Sequence, residues 1–374
     1  MSTPEPRRIL IATAALDAPS GTDLYTRDLA VTLQRRGVQP VVYATRVGAL
    51  RRSVRNASVP VVSDVADLAA APDVIHGHHH LETIAAMARF PGVPALFVCH
   101  DAISWHSIPP RGPRLRAYVA VDRNCRDRMM FEHGIPERDI RIFANAVDLE
   151  RFPRRGPLPE KPRRALVFSN SAAENTFAAP IRDACARRGI AVDLAGVASG
   201  NVIVPENVLR DYDVVFAKGR SALEAMASGC AVVAADLRGI GGMVTTERLD
   251  AMRVLNFGHR LLDTPTTVES VLAELDRYDP ADAAPVTDRI RASAGVDLLA
   301  QQYIELYEEL LASPIDVDPR DDLAAIGASL AHVTPHLYAQ APRAASPWRV
   351  RLLNARALRM PVQLLLRVRR RLRG

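Results

Sequence analysis

Short apolar runs alternate with amphipathic stretches along most of this chain. "RILIATA" (8–14) is typical of a buried strand, and the loop "DAPSGTD" separates it from "LYTRDLAVTLQRRG". In that second stretch Tyr25, Leu29 and Leu33 recur at helical spacing, and Gly37 stands where a helix is expected to stop. A further strand, "PVVYAT", follows. The order of strand, loop, helix and strand predicts the start of a parallel α/β layer.

The same alternation continues, breaks once, and then restarts. Strands and helices are predicted as far as "DIRIFANA", and the proline- and charge-rich stretch 149–164 is the predicted linker. A second series runs from "ALVFSN" to "AVVAAD", and the amphipathic helix "LLAQQYIELYEELLA" is predicted to close it. We therefore expect an α/β protein with Rossmann-like domains at 1–152 and 153–312 and a helical, arginine-rich extension at 313–374. Two parallel sheets would face a central cleft, where ligands sit at the carboxyl ends of the strands.

The positive charge of the chain is concentrated at its C-terminal end. The formal net charge of the 374 residues is +6, but ten arginines follow residue 342, so residues 1–342 carry −4. The segment 347–374 mixes nine of these arginines with Trp, Leu and Val and has no acid, which predicts contact with an anionic membrane surface. The alternatives are a helix packed on the protein's own acidic body and a disordered basic end. No other part of the sequence favours nucleic acid as a partner.

The location expected from the sequence is the cytoplasm, at the inner face of the membrane if the arginine-rich segment binds there. The N-terminal apolar run is short and strand-like, and no stretch approaches the length of a transmembrane helix. The four cysteines are scattered without metal-ligand spacing, which is typical of a protein from a reducing compartment.

The stretch "FAKGRSALEAMASG" (216–229) places charge at the start of a predicted helix. Lys218, Gly219 and Arg220 precede the helical pattern, and a helix N-terminus holds anions well. Together with Ser221, these residues predict a cradle for the diphosphate of a donor. The alternative is that Ser221 and Glu224, at capping-box spacing, close the helix without any ligand.

Several segments, taken in order, are similar to a known family. "GRSALEAMASGCAVVAADLRGIGGMV" resembles the donor-binding segment of GT-B glycosyltransferases, especially glycosyltransferase family 4. "SGTDLYTRDLAVTLQRRGVQPVVYA" resembles the first loop and helix of that family, and "PDVIHGHHH" and "FVCHD" are similar to its middle strands. "VAVDRNCRDRMMFEHGIPERDIRIFANAVDLERF" is similar to the segment that ends its N-terminal domain. The resemblance covers residues 8–312 and implies the GT-B fold.

The resemblance implies roles for the matching positions. Glu224 corresponds to the glutamate that binds the donor ribose, and Gly21 to the glycine that lets the backbone approach the donor phosphate. His100 matches the strand-end histidine near the transferred sugar, where it would orient the donor. The glycines that would line the donor side of the cleft are Gly239, Gly241 and Gly242.

Two departures from the family pattern bear on the donor site. Phe216 stands where the family has a first glutamate that contacts the donor sugar. The region "FSNSAAENTF", with Asn170, lacks the arginine and lysine that usually hold the diphosphate. Lys218 and Arg220 are therefore predicted to take over that contact.

The resemblance implies transfer of a sugar, with retention, from a nucleotide sugar to a glycan, lipid-linked or other cell-envelope acceptor. No cofactor or metal is expected, because N–H groups and cations can stabilise the leaving diphosphate. The histidines of "HGHHH" (76–80) have no acid or cysteine nearby, so a cleft-lining loop is preferred over a zinc site. Trp105 and His106 are predicted to face the acceptor. The alternative functions are a non-catalytic relative acting as a partner or scaffold, and a nucleotide-sugar epimerase.

Overall fold

The computed structural model describes residues 7–201, 203–313 and 316–340. By its internal contacts the chain forms two units, Met1–Leu330 and Ala331–Gly374, and both sheets lie in the first. In the second unit the described residues, 331–340, are the last part of a helix. The segment 347–374, and with it the predicted membrane contact, lies outside the described residues.

Parallel strands form the first sheet. They are β1 (Arg8–Leu16), β2 (Gln39–Val47), β3 (Val61–Val62), β4 (Val74–Gly77), β5 (Ala95–Cys99), β6 (Leu115–Ala120) and β7 (Ile140–Ile142). Their order is β3-β2-β1-β4-β5-β6-β7, and the helices between them are α1 (Gly21–Arg35), α2 (Ala49–Asn56), α3 (His80–Arg89) and α4 (Arg123–Phe131). The central strands are buried on both faces, which is why they read as continuous apolar runs. The α/β alternation predicted for the first half is confirmed.

The second sheet is built from β8 (Arg164–Phe168), β9 (Ala191–Ala195), β10 (Val214–Ala217), β11 (Ala231–Asp236) and β12 (Gly239–Met243). The order is β12-β11-β10-β8-β9, with β12 antiparallel to β11 and the other pairs parallel. The helices of this half are α5 (Ala178–Arg187), α6 (Pro205–Val208), α7 (Gly219–Ala227), α8 (Leu249–Arg253), α9 (Val268–Leu275) and α10 (Pro280–Ser293). Two α/β halves are thus confirmed, while the domain limits at 152 and 312 stay predictions.

The helix that follows, α11 (Val296–Ala312), packs on the first sheet. Its Tyr303 and Tyr307 are buried in the same apolar cluster as β1 and α1, and the hydroxyls of Tyr25 and Tyr303 are hydrogen-bonded at 2.7 Å. The expectation that this helix closes the second half is wrong. An amphipathic pattern shows that one face of a helix is buried, but it does not show which sheet covers that face.

The first turn of the last helix, α12 (Pro319–Gln340), contains one partner of a buried ion pair. Arg114 is 1 % exposed, and its Nε donates to the Asp322 carboxylate at 2.7 Å. Its remaining N–H groups donate to the carbonyl oxygens of Phe90, Val93 and Met87. A buried guanidinium is tolerated only when it is fully paired in this way, so Asp322 has a structural role.

Candidate functional site

A cavity opens where the carboxyl ends of strands from both sheets meet. Its empty volume is about 1060 Å³. The first half contributes the residues Gly21, His100, Asp101, Ala102, Asp122 and Asn124 to its lining. The second half contributes Phe168, Ser169, Asn170, Ser171, Lys218, Gly219, Arg220, Ser221, Asp236, Asn256, Gly258 and His259. The predicted position of the binding site, at the strand ends of two facing sheets, agrees with this cleft.

The N-terminus of α7 points into the cleft. Lys218 is the N-cap residue and its side chain does not bond back to the helix, so the first N–H groups have no side-chain cap. Gly219 has φ of +56°, a left-handed conformation that a residue with a Cβ adopts only under strain. Ser221 is the third residue of the helix and not its cap, so the capping-box alternative is wrong. The free N–H groups and the lysine together form an electropositive end suited to an anion.

Lys218 is fixed by an acid that the sequence analysis missed. Its ammonium forms an ion pair with Asp236, whose other carboxylate oxygen accepts from the Ser169 hydroxyl at 2.7 Å. Asp236 is 4 % exposed. Burial alone would raise the pKa of this carboxyl, but the contacts with Lys218 and Ser169 outweigh burial and lower it. The three residues follow or end three neighbouring parallel strands, β8, β10 and β11, and together they line the cleft.

Arg220 contacts the cleft but is held by two acids. Its guanidinium pairs with Asp28 of α1, and its Nε donates to Glu224 at 2.7 Å. The side chains of Arg220, Asp28 and Glu224 are 9 %, 4 % and 3 % exposed. Asp28 is also paired with Arg27 and Arg151. The prediction that Arg220 holds a diphosphate is therefore not supported by its position, because both of its partners are carboxylates.

Glu224 does not line the cavity. It lies behind Arg220, and burial raises the pKa of its carboxyl even though the Arg220 charge opposes that shift. The role in ribose binding that the resemblance implied stays a prediction. In this structure the Glu224 carboxylate forms an ion pair with the Arg220 guanidinium.

Phe216, which stands where the family has its first glutamate, lies inside the core. Phe216 lies in β10 with its side chain fully buried in the second sheet's apolar cluster. The cation-poor loop after β8 does reach the cleft, through Ser169, Asn170 and Ser171. The structure therefore agrees with both departures read from the sequence, and Lys218 is the lysine that lines this cavity.

His100 lies at the carboxyl end of β5 and lines the cleft. Its ring makes edge contacts with Tyr25 and with His78, each with 4.7 Å between ring centroids. Its Nε2 is buried without a hydrogen-bond partner in the part of the chain that the structure describes. Burial, together with neighbouring His79 and His76, holds the pKa of His100 well below its usual range. The ring is therefore neutral at pH 7 and suited to orient a ligand by hydrogen bonding.

Two histidines of "HGHHH", His76 and His78, form a hydrogen-bonded series next to His100. Nδ1 of His78 bonds the Thr26 hydroxyl at 2.8 Å, its Nε2 bonds Nε2 of His76 at 3.0 Å, and Nδ1 of His76 bonds the Tyr307 hydroxyl at 2.6 Å. Burial lowers the pKa of His76 to about 3. Across residues 7–201, 203–313 and 316–340, no group of three or more His, Cys, Asp or Glu side chains is arranged to hold a metal. The expectation that this stretch is a cleft-lining loop is wrong for His76 and His78, which are fully buried.

The predicted glycine loop after β11 is a strand at the edge of the sheet. Gly239, Gly241 and Gly242 belong to β12 and are not among the cleft-lining residues. A Cβ on Gly239 would lie 2.4 Å from the Thr264 carbonyl oxygen, and one on Gly241 would lie 2.8 Å from that of Leu261. These glycines permit close packing of backbone segments, a structural role that their place in β12 supports, while the predicted donor-side role stays a prediction.

Two other predicted residues lie near the cleft but outside its lining. Trp105 and His106 form a short 3-10 turn after β5, with their rings stacked at 3.8 Å between centroids. His106 bonds the Ser104 hydroxyl at 3.1 Å. Gly21, by contrast, does line the cavity as the first residue of α1, and no atom lies within 4 Å of where its Cβ would be. Space for a ligand is therefore open at Gly21, and its predicted contact with the donor phosphate stays a prediction.

The architecture agrees with that of solved GT-B glycosyltransferases. A glycosyltransferase from Rickettsia africae ESF-5 matches with a TM-score of 0.58 and 12 % identity, over 82 % of this chain and 99 % of that one. Anabaena Alr3699/HepE in complex with UDP-glucose matches with a TM-score of 0.61 and 14 % identity, over 81 % of this chain and 100 % of that one. No curated protein matches the sequence. The fold is that of a GT-B glycosyltransferase.

The part of the sequence that matches a family model lies in the first half of the chain. Residues 19–151 match the sequence model of Glycosyltransferase Family 4. The resemblance to family 4 of the GT-B glycosyltransferases, read from the sequence motifs, is thereby confirmed. Within the described residues, no helix is long and apolar enough to cross a membrane.

Proposed function

We propose that this protein is a glycosyltransferase that takes a sugar from a nucleotide-sugar donor bound in the cleft. The observation that carries the proposal is the N-terminus of α7 with Lys218, at the carboxyl ends of parallel strands and in a cavity shared by both halves. A similar chain, Anabaena Alr3699/HepE, has been solved with UDP-glucose. UDP and UDP sugars are therefore the first donors to test.

The proposed chemistry needs stabilisation of a leaving diphosphate. The bond between the anomeric carbon and the diphosphate oxygen breaks, the acceptor hydroxyl oxygen bonds to that carbon, and its proton passes to the departing phosphate oxygen. Lys218 and the N–H groups of α7 would meet the charge that develops, with no requirement for a metal. The neutral ring of His100 would orient the donor sugar, and retention of configuration follows from the family resemblance.

The acceptor is proposed to be a glycan, a lipid-linked glycan or another cell-envelope precursor. Such acceptors would place the enzyme in the cytoplasm, at the inner face of the membrane. The segment 347–374, with its arginines and leucines, would supply the membrane contact.

A second candidate is a non-catalytic GT-B relative that acts as a partner or scaffold. Two observations favour it: Phe216 is buried where the family has a sugar-binding glutamate, and Glu224 is already paired with Arg220. A nucleotide-sugar epimerase, the third possibility from the sequence, has no observation of its own here.

The first experiment is a thermal-shift series on the full chain. Ligand binding to the native state raises the melting temperature, so UDP or another nucleoside diphosphate should raise it in a concentration-dependent manner. Release of UDP from a UDP sugar, with acceptor mixtures, then separates an enzyme from a scaffold. A folded protein that shows no shift with any nucleotide or nucleotide sugar would refute the donor site.

A Glu224→Gln variant tests the ribose contact separately. If the carboxylate binds ribose hydroxyls, UDP affinity should fall about tenfold, because a hydrogen bond to a charged group is lost, while inorganic pyrophosphate affinity is unchanged. Unchanged affinity for both ligands would show that the Glu224 carboxylate pairs with Arg220 and does not contact the ribose.

A further inference from the structure

A second cavity adjoins the cleft, between α4 and the turn that follows β11. Its empty volume is about 660 Å³. It shares Ala102, Asn124 and His259 with the donor cavity, so the two spaces adjoin. We call this second cavity the side pocket, defined by Ile103, Asn124, Phe131, Arg238 and Arg260. An acceptor must reach the donor sugar from some such adjoining space.

The side pocket has an apolar wall that faces solvent. Phe131, at the end of α4, is 78 % exposed, and Ile103, in the loop after β5, is 67 % exposed. Single exposed apolar side chains are common on proteins, but here two large ones line one cavity. The Ile103 loop is fixed in place, because Arg128 donates to the carbonyl oxygens of Asp101 and Ser104 at 2.8 and 2.7 Å. A fixed apolar wall of this kind suits a hydrophobic chain.

The lining of the side pocket also includes an arginine that is free to bind an anion. Arg238 is exposed and has no hydrogen bond or ion pair within the described residues. The other charges of the pocket neutralise one another: Arg260 pairs with Asp127 at 2.6 Å, and Arg128 with Glu132 at 3.5 Å. The net free charge of the side pocket is therefore the single guanidinium of Arg238.

A buried amide marks the junction between the side pocket and the cleft. Asn124 is 6 % exposed, and its Oδ1 is buried without a hydrogen-bond partner in the described part of the chain. Buried acceptors are nearly always satisfied in native proteins, so an unsatisfied one on a residue that lines both cavities indicates a ligand donor. A hydroxyl group at the junction would supply that donor.

We propose that the side pocket binds the acceptor through an alkyl or prenyl chain joined to a phosphate, an inference that rests on the proposed transferase function. The chain lies on Phe131 and Ile103, the phosphate pairs with Arg238, and a hydroxyl of the acceptor donates to Asn124 at the mouth of the donor cavity. The pocket thereby selects amphiphilic anions over free sugars.

The test is calorimetric binding of decyl phosphate to the full chain, below the micelle concentration and with UDP present. Decyl phosphate should bind, and decyl maltoside, which lacks the anion, should bind more weakly. Phe131→Ala should lower the affinity for decyl phosphate about tenfold, because most of one aromatic contact is lost. Arg238→Gln should weaken decyl phosphate by a similar factor and leave decyl maltoside unchanged.

Matched variants identify binding elsewhere on the chain. Leu298→Ala removes an apolar side chain that is 49 % exposed on α11, and Arg52→Gln removes an exposed arginine on α2. Both should leave decyl phosphate affinity unchanged. Equal affinity in all four variants would overturn the proposal, since the ligand would then bind another part of the chain, such as the ten C-terminal arginines.

Two further measurements separate this proposal from its rivals. If phosphatidylglycerol vesicles bind through Phe131 while soluble decyl phosphate does not, the apolar wall is a bilayer contact and the proposal is overturned. UDP affinity, measured on the same samples, should be unchanged in Phe131→Ala. UDP binding without decyl phosphate binding refutes the side pocket alone, whereas loss of UDP binding in the wild-type chain refutes the donor site on which it rests.

Discussion

The buried cluster of Asp28, Arg220 and Glu224 makes a quantitative prediction about stability. Replacing Arg220 with Met keeps most of the side-chain volume but removes the only cation bonded to Glu224 in the described structure, whereas Asp28 retains Arg27 and Arg151. Removing one partner of a buried ion pair destabilises a protein by about 3–5 kcal/mol. The Arg220→Met variant should lose stability in that range.

The expected change in melting temperature follows from the size of the folded unit. Unfolding entropy of about 2.1 cal/mol/K per residue gives roughly 0.7 kcal/mol/K for the unit Met1–Leu330, if it unfolds cooperatively. A loss of about 3–5 kcal/mol therefore lowers the melting temperature by roughly 4–7 °C. Differential scanning calorimetry measures this fall directly.

The stability lost in the Arg220→Met variant should also depend on pH. Burial already raises the pKa of Glu224, and loss of Arg220 raises it further, above the value of about 4.3 in the unfolded chain. A carboxyl with a raised folded pKa favours the native state below the unfolded pKa, and that advantage is lost as pH rises through the folded pKa. The difference between variant and wild type should therefore be larger at pH 8 than at pH 5.

An exposed ion pair provides the control. Arg188 pairs with Asp276 at the surface, with side chains 47 % and 58 % exposed, and such pairs contribute about 0–1 kcal/mol. Arg188→Met should change the melting temperature by no more than about 1–2 °C at either pH. The reasoning is refuted if Arg220→Met costs no more than Arg188→Met, or if its deficit is the same at both pH values.

Three further predictions concern the N-terminus of α7. Lys218→Ala should lower the affinity for UDP, measured by calorimetry, about tenfold, whereas Lys161→Ala, in the linker, should leave it unchanged. Equal effects of the two substitutions would exclude a specific contact between Lys218 and UDP. Ser221→Ala should alter the free energy of unfolding by less than about 0.5 kcal/mol, since Ser221 is not the cap, and a loss near 1 kcal/mol in urea titration would contradict that. Gly219→Ala should cost about 1–2 kcal/mol because of its positive φ, whereas Gly21→Ala, with open space around it, should unfold at nearly the wild-type urea concentration.

The sequence predicted the parallel sheets and the edge at which the cleft lies. Strands covered on both faces must be apolar throughout, so the parallel strands and their order in the chain are visible without any contact information, whereas the glycine-rich antiparallel strand β12 was missed. The carboxyl ends of those strands then identify Lys218, Gly219, His100 and Gly21 as neighbours in space, and all four line the cleft.

The side-chain partners of the site were not predictable in the same way. Arg220 and Asp28 are 192 positions apart in the chain, and no periodic pattern links them. Two signals were nevertheless present. Asp28 lies on the apolar face of α1, between Tyr25 and Leu29, and an acid in that position implies a buried partner. Asp236 ends the apolar run "AVVAAD", at the same sheet edge as Lys218.

The two cations predicted to hold a diphosphate differ in their exposure. An incoming diphosphate would have to compete with Asp28 and Glu224 for an Arg220 side chain that is 9 % exposed. For Lys218 the competitor among the described residues is Asp236, and the lysine side chain is 37 % exposed in the cleft. Desolvated ion pairs are costly to break, whereas a half-exposed ammonium can exchange or share its partner. We therefore infer that Lys218 and the α7 N–H groups receive the diphosphate, while Arg220 joins α1 to α7 and holds the walls of the cleft together.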